Sequence, residues 1–292
     1  LIQPGRGGSS WDFVHCFCDA KPGLYGGLDT TGTSNCEELK RKLSVVSHAV
    51  SYTEMAKELP PKRRQLVYLG PEEQVRQTSF RTEMKKAARR GGSAVFEVRL
   101  QEAASRKRSW IVKEVREMLD QNQKVVVFTS RRKDCESLYK TLSKARKSEP
   151  CGMWSGHGGD SLAERERMVR EYADHEGPAL FIGTHDAFGE AIDGLQHTDV
   201  VYFVLLPWTP GQVTQAEGRF SRHGSDRPVL ISYVVAEGTV DEHVADILLE
   251  KLEDVSVTLN DGETQSLADT LAGADSEESI INSILEVSNG MQ

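Results

Sequence analysis

Between residues 121 and 258 the apolar residues arrive in short, unbroken blocks. KVVVFTS (Lys124–Ser130), PALFIGT (Pro178–Thr184), DVVYFVLLP (Asp199–Pro207) and PVLISYVVA (Pro228–Ala236) are rich in β-branched and aromatic residues and too short for helices. GMW (Gly152–Trp154) reads as the end of a further block. Between the blocks lie DCESLYKTLSKARK and LAERERMVREYADH, where apolar residues recur at helical spacing among charges. Strands apolar on both faces, alternating with amphipathic helices, predict an α/β fold: a parallel sheet covered by helices on both sides. In such sheets the functional loops lie at the carboxyl ends of the strands. The polar turns after Phe128, Ile182 and Leu206 are therefore the places to search.

The flanks read differently. Residues 1–35 are rich in Gly, Ser and Thr and read as irregular. SNCEELKRKL reads as a helix capped by Ser34 or Asn35, with Glu37 and Glu38 in its first turn. LPPKRRQLVYL (Leu59–Leu69) turns through two prolines into a short strand. Residues 71–120 look helical and basic, with a break at Gly91–Gly92. Beyond residue 258 the chain is acidic and poor in apolar residues, although SEESIINSILEV has the pattern of an amphipathic helix. This divides the chain at 1–60, 61–120, 121–258 and 259–292.

Composition adjusts the picture in three places. No apolar run approaches the length that spans a membrane, and the start LIQPGRGGSSWDF lacks the basic region and apolar core of a signal peptide. The first residue is Leu1, so the expectation is a fragment of a longer protein. Five sparse cysteines point to a reducing, cytosolic or nuclear setting rather than a disulfide framework. His15, Cys16, Cys18 and Cys36 contain zinc-ligand residue types but no CxxC pair, so small buried thiols are expected and no metal site is assigned. The net charge of −8 conceals a split: residues 237–292 hold fourteen Asp and Glu against Lys251 alone, giving −13, so residues 1–236 carry +5. A mildly basic body suits phosphate contacts that the overall charge hides.

The chemistry concentrates in QVTQAEGRFSRHG (Gln212–Gly224). If this segment is helical, Gln215, Arg219 and Arg222 fall on one face. Two guanidiniums side by side need an anion opposite, and a nucleotide triphosphate supplies one that matches arginine's planar fork. A lone RxxR is more often a solvated surface pair; here it follows an apolar strand and the turn PWTPGQ, which places it at a functional sheet edge.

PWTPGQVTQAEGRFSRHG resembles the last helicase motif of superfamily 2 in its Swi/Snf-type form. KVVVFTSRR resembles the motif opening the second helicase lobe, and SGHGGDSLAERERMVREY the Gly-rich turn and Arg-bearing helix that follow, matched at Gly156, Glu164, Arg165 and Glu166. FIGTHDAFGEAIDGL resembles the DNA-contacting and coupling motif, and AEGTVDEHVADILLEKL the closing helix. CDAK, SN..EL and LPPKRR resemble the end of the first lobe and its exit, in the branch that holds annealing helicases and bacterial and phage relatives. The resemblance covers about residues 12–255.

The resemblance implies a RecA-like, P-loop NTPase-type second lobe at 121–258, with a helical protrusion at 61–120, a first-lobe remnant and interlobe linker at 1–60, and an acidic tail. It implies an ATP-dependent DNA translocase when this chain is joined to its first lobe, and no ATP hydrolysis by this chain alone. Arg219 and Arg222 would be arginine fingers, Gln215 a coupling residue, and Gly189 and Glu190 neighbours of the ATP cleft. Thr129, Ser130, Arg131, Gly156, Thr184 and His185 would contact the backbone of duplex or branched DNA. ATP and Mg2+ would be bound mainly by the first lobe, supplied in cis or in trans. The pattern departs from the family at Gly218, where Asp is usual, at His223-Gly224-Ser225, where Ile-Gly-Gln is usual, and at Ala187-Phe188-Gly189-Glu190, where two glycines are usual.

Asp241-Glu242-His243 looks like a magnesium-binding acid box, but it follows the arginine pair and reads as a helix start. No GxxxxGK[ST] phosphate loop occurs in the chain. The basic segment 81–116 reads equally as a grip on duplex DNA or as a solvated helix face. Two alternatives stay open: a non-catalytic nucleic-acid-binding module, and half of a split motor.

Overall fold

A computed structural model describes residues 10–22, 27–30, 32–45, 59–71, 80–145, 151–189, 193–222, 225, 227–259 and 267–271. The N-terminal part holds α1 (Ser10–Phe17), a short antiparallel ribbon of β1 (Lys21–Pro22) and β2 (Leu28–Asp29), and α2 (Cys36–Ser44). The sequence reads as irregular over 1–35; α1 departs from that because Phe13 and Phe17, one turn apart, stack at 5.3 Å and bury Phe17. Asn35 precedes α2 in the left-handed region with no side-chain cap, and instead donates through Nδ2 to Cys16 O at 2.7 Å.

The apolar blocks become one sheet. β3 (Lys62–Leu69), β4 (Lys124–Thr129), β5 (Gly152–Gly156), β6 (Ala179–Thr184), β7 (Val200–Phe203) and β8 (Val229–Ala236) lie in the order β3-β8-β7-β4-β6-β5, every pair parallel. In chain order the helices after β3 are α3 (Phe80–Ala88), α4 (Gly92–Asp120), α5 (Arg132–Ala145), α6 (Leu162–Asp174), α7 (His185–Phe188), α8 (Pro210–Glu217) and α9 (Val240–Leu259). Residues 267–271 add one more helical turn. The helix expected at SEESIINSILEV lies outside the described residues.

Strand alternation sends side chains to two separate cores. Val126, Phe128, Phe181, Phe203 and Tyr233 face α6, α8 and α9, while Val125, Val127, Leu180, Ile182 and Tyr202 face α4 and α5. This is the physical reason the blocks are apolar at consecutive positions. Capping follows local chemistry: Ser161 and Glu164 close a reciprocal capping box on α6, and Thr209 caps α8 ahead of Pro210.

α4 has 29 residues and spans about 43 Å at 1.5 Å per residue. Gly91, at φ 106°, makes the reversal that separates it from α3. Ile111, Val115 and Leu119 of its second half pack on the sheet, while Leu100, Ala103 and Ala104 of its first half pack with Leu205 and Trp208, and α3 lies against α4. Between the halves Lys107 is fully buried, 2.7 Å from Asp241 of α9 and within hydrogen-bond distance of the carbonyls of Val204 and Val234. β3 lies in the same sheet as the strands of 121–258, paired along its whole length with β8.

Candidate functional site

The carboxyl ends of β4, β6 and β5 form one edge. Thr129 stands opposite Thr184 in register, and Gly156 opposite Gly183. A Cβ on Gly156 would run into Phe188 and Met168, so glycine is required there by close approach. Thr129 is buried and donates through Oγ1 to Arg131 O at 3.3 Å. Ser130 Oγ is buried with no hydrogen-bond partner. Thr184 is buried and leads into α7 without capping it.

His185 is buried, and neither ring nitrogen makes a hydrogen bond. Its Nδ1 lies 2.8 Å from the Asp186 carboxylate, out of line for donation. Burial pulls its pKa below the usual histidine value, against the smaller opposing effect of Asp186. Unpartnered buried polar atoms cost free energy, and Ser130 and His185 place two such residues at one sheet edge.

Arg131 is committed elsewhere. Nε and Nη2 hold the Asp134 carboxylate at 2.7 and 2.9 Å, and Nη1 reaches Glu97 O on α4 at 2.8 Å. It ties the turn after β4 to α4. Cys135, beneath this turn, is a buried thiol pushed up to about 11 by burial, which makes it inert.

The arginine pair occupies a turn, which corrects the helical reading of Gln212–Gly224. α8 ends at Glu217, and Gly218 through Arg222 continue as turns, with Arg219 N donating to Ala216 O and Phe220 N to Glu217 O. Gly218 sits at φ −61°, a conformation open to any residue, so the family's Asp is missing there for no backbone reason. Phe220 plugs the turn into the core, 5.8 Å from Phe128. Both guanidiniums then converge: Arg219 Nη1 lies 3.1 Å from Asp193 Oδ1, and Arg222 Nη1 meets the same oxygen. Arg219 Nε also donates to Gly189 O at 3.1 Å, and Arg222 Nε to Gly218 O at 3.0 Å. Arg219 is 12% exposed, Arg222 40% and Asp193 71%, so the carboxylate opposite the pair is open to exchange.

Gly189 is enclosed. Its N–H donates to His185 O at 2.7 Å, and a Cβ would collide with that same carbonyl. Gln215 is exposed on α8. Glu190, with His223 and Gly224, lies outside the described residues.

The helicase conserved C-terminal domain family matches residues 106–224, from the middle of α4 through the arginine turn. The chain is 28% identical over 255 residues to the SWI/SNF-related matrix-associated actin-dependent regulator of chromatin subfamily A-like protein 1 of Xenopus tropicalis, covering 83% of this chain and 26% of that protein. The chain is thus similar to helicase C-terminal lobes of the Swi/Snf type. The DNA annealing helicase and endonuclease ZRANB3 of Homo sapiens is 28% identical over 273 residues, covering 89% of this chain and 25% of that protein. The chain thus spans about a quarter of the length of these relatives. The Sulfolobus solfataricus SWI2/SNF2 ATPase core solved with dsDNA superposes with a TM-score of 0.50 at 19% identity, covering 92% of this chain and 61% of that one. That likeness attests the RecA-like fold.

Asp241 and Glu242 serve structure. Asp241 accepts from Ala236 N at 3.1 Å besides holding Lys107, and Glu242 accepts from Gly238 N at 3.1 Å and from Tyr68 OH. Among the described residues no group of three metal-ligating side chains occurs, and Cys16 and Cys36 belong to no such group. Sequence reasoning missed Asp193 and the buried Glu217, whose partners come from distant segments; each stands inside a motif, but spacing carries no signal for a contact that only folding makes.

Proposed function

We propose that this lobe completes an ATP-dependent DNA translocase by supplying Arg219 and Arg222 to a nucleotide held on a first lobe in cis or in trans. The observation that carries this is the convergence of both guanidiniums on one exposed carboxylate oxygen, Asp193 Oδ1. The donor set fits polyphosphate oxygens: two planar forks, one anchored by the Gly189 carbonyl and one freer. A triphosphate brings more negative charge than Asp193, so the pair exchanges its carboxylate for phosphate when the lobes close. Bound mainly by the first lobe, ATP would supply the scissile phosphate and Mg2+ the neutralising charge. This chain's part is to stabilise charge with prepositioned donors. Gln215, one turn before Arg219, and Gly189, whose carbonyl holds Arg219, couple the pair to the lobe interface.

Ser130 and His185, whose polar atoms make no hydrogen bond, with Thr129 and Thr184 beside them, suit backbone oxygens of one DNA strand. Arg131 acts here by holding the protrusion. The names of the relatives, a DNA annealing helicase among them, and the double-stranded DNA in the solved core support duplex or branched DNA as the partner.

The test joins or mixes this chain with a phosphate-loop lobe and follows DNA-stimulated ATP hydrolysis. Arg222→Ala and Arg219→Ala should each reduce it by roughly 10³-fold or more, as for other fingers, with DNA binding retained. Hydrolysis that survives both substitutions sinks the finger assignment.

One observation favours the non-catalytic reading as a second possibility. A groove of about 820 Å³ lies between α3, α4 and the turn after β4, lined by Lys86, Arg90, Arg131, Arg132 and Lys133 against Glu83 and Glu97. Salt-sensitive DNA binding without any restorable hydrolysis would favour it.

A further inference from the structure

The turn that carries the arginine pair is fastened from below by a buried ion cluster. Glu217, the last residue of α8, has no exposed side-chain surface. Arg64 grips it with two parallel bonds, Nε to Oε1 at 2.7 Å and Nη2 to Oε2 at 2.5 Å. Lys62 Nζ lies 3.4 Å from Oε2, and Tyr233 OH donates to Oε1. Ser221, four residues on, donates to Pro60 O at 3.3 Å. Lys62 and Arg64 stand two apart on β3, on the face shared with Tyr233 of β8, so one strand face presents both cations to one carboxylate. Burial alone would raise the Glu217 carboxyl, yet the hydrogen bonds and charge of Arg64, aided by Lys62 and Tyr233, outweigh it and hold the group ionised below its usual range.

This cluster is more than the sheet needs. A buried ion pair adds little stability over an apolar packing of the same volume, and what it does confer is geometry. The bidentate fork fixes both oxygens of Glu217, and thereby the rotamer of the residue at which α8 stops. Gly218 through Arg222 begin there. The partners sit on residues 60–64, where the chain joins this sheet.

We propose that Glu217 is the positioning residue for Arg219 and Arg222, and that Lys62 and Arg64 register the finger turn to the strand by which the chain joins the lobe. A shift of β3 along the sheet is then passed to the guanidiniums through Glu217 and through Ser221. The catalytic consequence rests on the finger reading above; the fastening itself does not.

Two arms keep these apart. In the full chain alone, Glu217→Gln and Arg64→Lys should speed amide hydrogen exchange at Arg219, Phe220 and Arg222, with exchange in β4 and β6 unchanged. In the chain joined to a phosphate-loop lobe, Glu217→Gln should lower kcat for DNA-stimulated ATP hydrolysis by about 10²-fold, as misplaced catalytic groups do, with KM for ATP little changed. Arg64→Lys, which keeps the charge and loses the fork, should show a smaller drop than Glu217→Gln. If Glu217→Gln does not fold, Tyr233→Phe removes one donor and should give the same pattern at smaller size. Uniformly faster exchange across the lobe, or an unaltered kcat, overturns the proposal. If the joined protein shows no hydrolysis that depends on Arg222, the finger reading fails, and the exchange arm alone decides whether Glu217 fastens the turn.

Discussion

Single residues at the carboxyl edge combine tight packing with unsatisfied polarity, and both properties can be measured. Gly189 has no room for a methyl group, since its Cβ would meet the His185 carbonyl. Gly189→Ala should cost about 1–3 kcal/mol, the usual range for overpacking, read as a lower midpoint in denaturant with an unchanged m-value. It should also disturb Arg219, whose Nε is held by the Gly189 carbonyl. His185 makes a pH prediction. Its folded pKa lies below the usual 6.5, so the folded state resists the proton that the unfolded chain accepts. The stability it contributes is complete above pH 6.5 and is lost as pH falls from there. Denaturant titrations from pH 7.5 to 5 should show that slope, and His185→Gln should flatten it. An equal slope in the variant would assign the effect to other groups.

Among the elements, α4 joins α3 to the sheet, and its attachment is polar at one buried point. Burial lowers the Lys107 pKa while the Asp241 charge opposes that change. Lys107→Met leaves Asp241 buried without its cation, and should destabilise the lobe by about 3–5 kcal/mol, as broken buried pairs do. Adding Asp241→Asn should return part of that stability, which a double-mutant cycle in urea measures. α8 teaches the opposite lesson. Residue spacing runs the helix through Arg222, but i−4 bonding stops at Gly218 and Arg219 and Phe220 bond back three residues instead, where Phe220 enters the core and Glu217 is held from β3. The arginines meet because of the turn, where a helix would only have set them on one face.

Taken whole, the molecule is electrically divided. Residues 1–236 carry +5 and residues 237–292 carry −13. The basic groove lined by Lys86, Arg90 and Lys133 belongs to the positive part. Replacing those three by Gln should weaken DNA binding and flatten its salt dependence, the slope of log K against log salt falling by roughly 0.9 for each phosphate no longer neutralised. Fluorescence anisotropy over a salt series checks this. An unchanged slope would place the DNA elsewhere, along the edge formed by β4, β5 and β6.

The sequence by itself determined the layered α/β architecture, since blocks apolar at consecutive positions, too short for helices and rich in β-branched residues, suit strands buried on both faces. It also singled out the strand ends and the arginine pair, because those motifs are local and their residues lie close along the chain. α1 was hidden, being short and set in Gly- and Ser-rich surroundings. Only the tertiary structure decided which carboxylate faces the arginines, that Arg131 ties the turn after β4 to α4, that Asp241 neutralises a buried lysine, and that Glu217 and Ser221 tie the arginine turn to residues 60–64. Each is an ion pair or hydrogen bond between segments far apart in the chain. Such a pairing leaves no periodicity behind; it exists only once the apolar blocks have stacked in the order β3-β8-β7-β4-β6-β5 and brought those charges together.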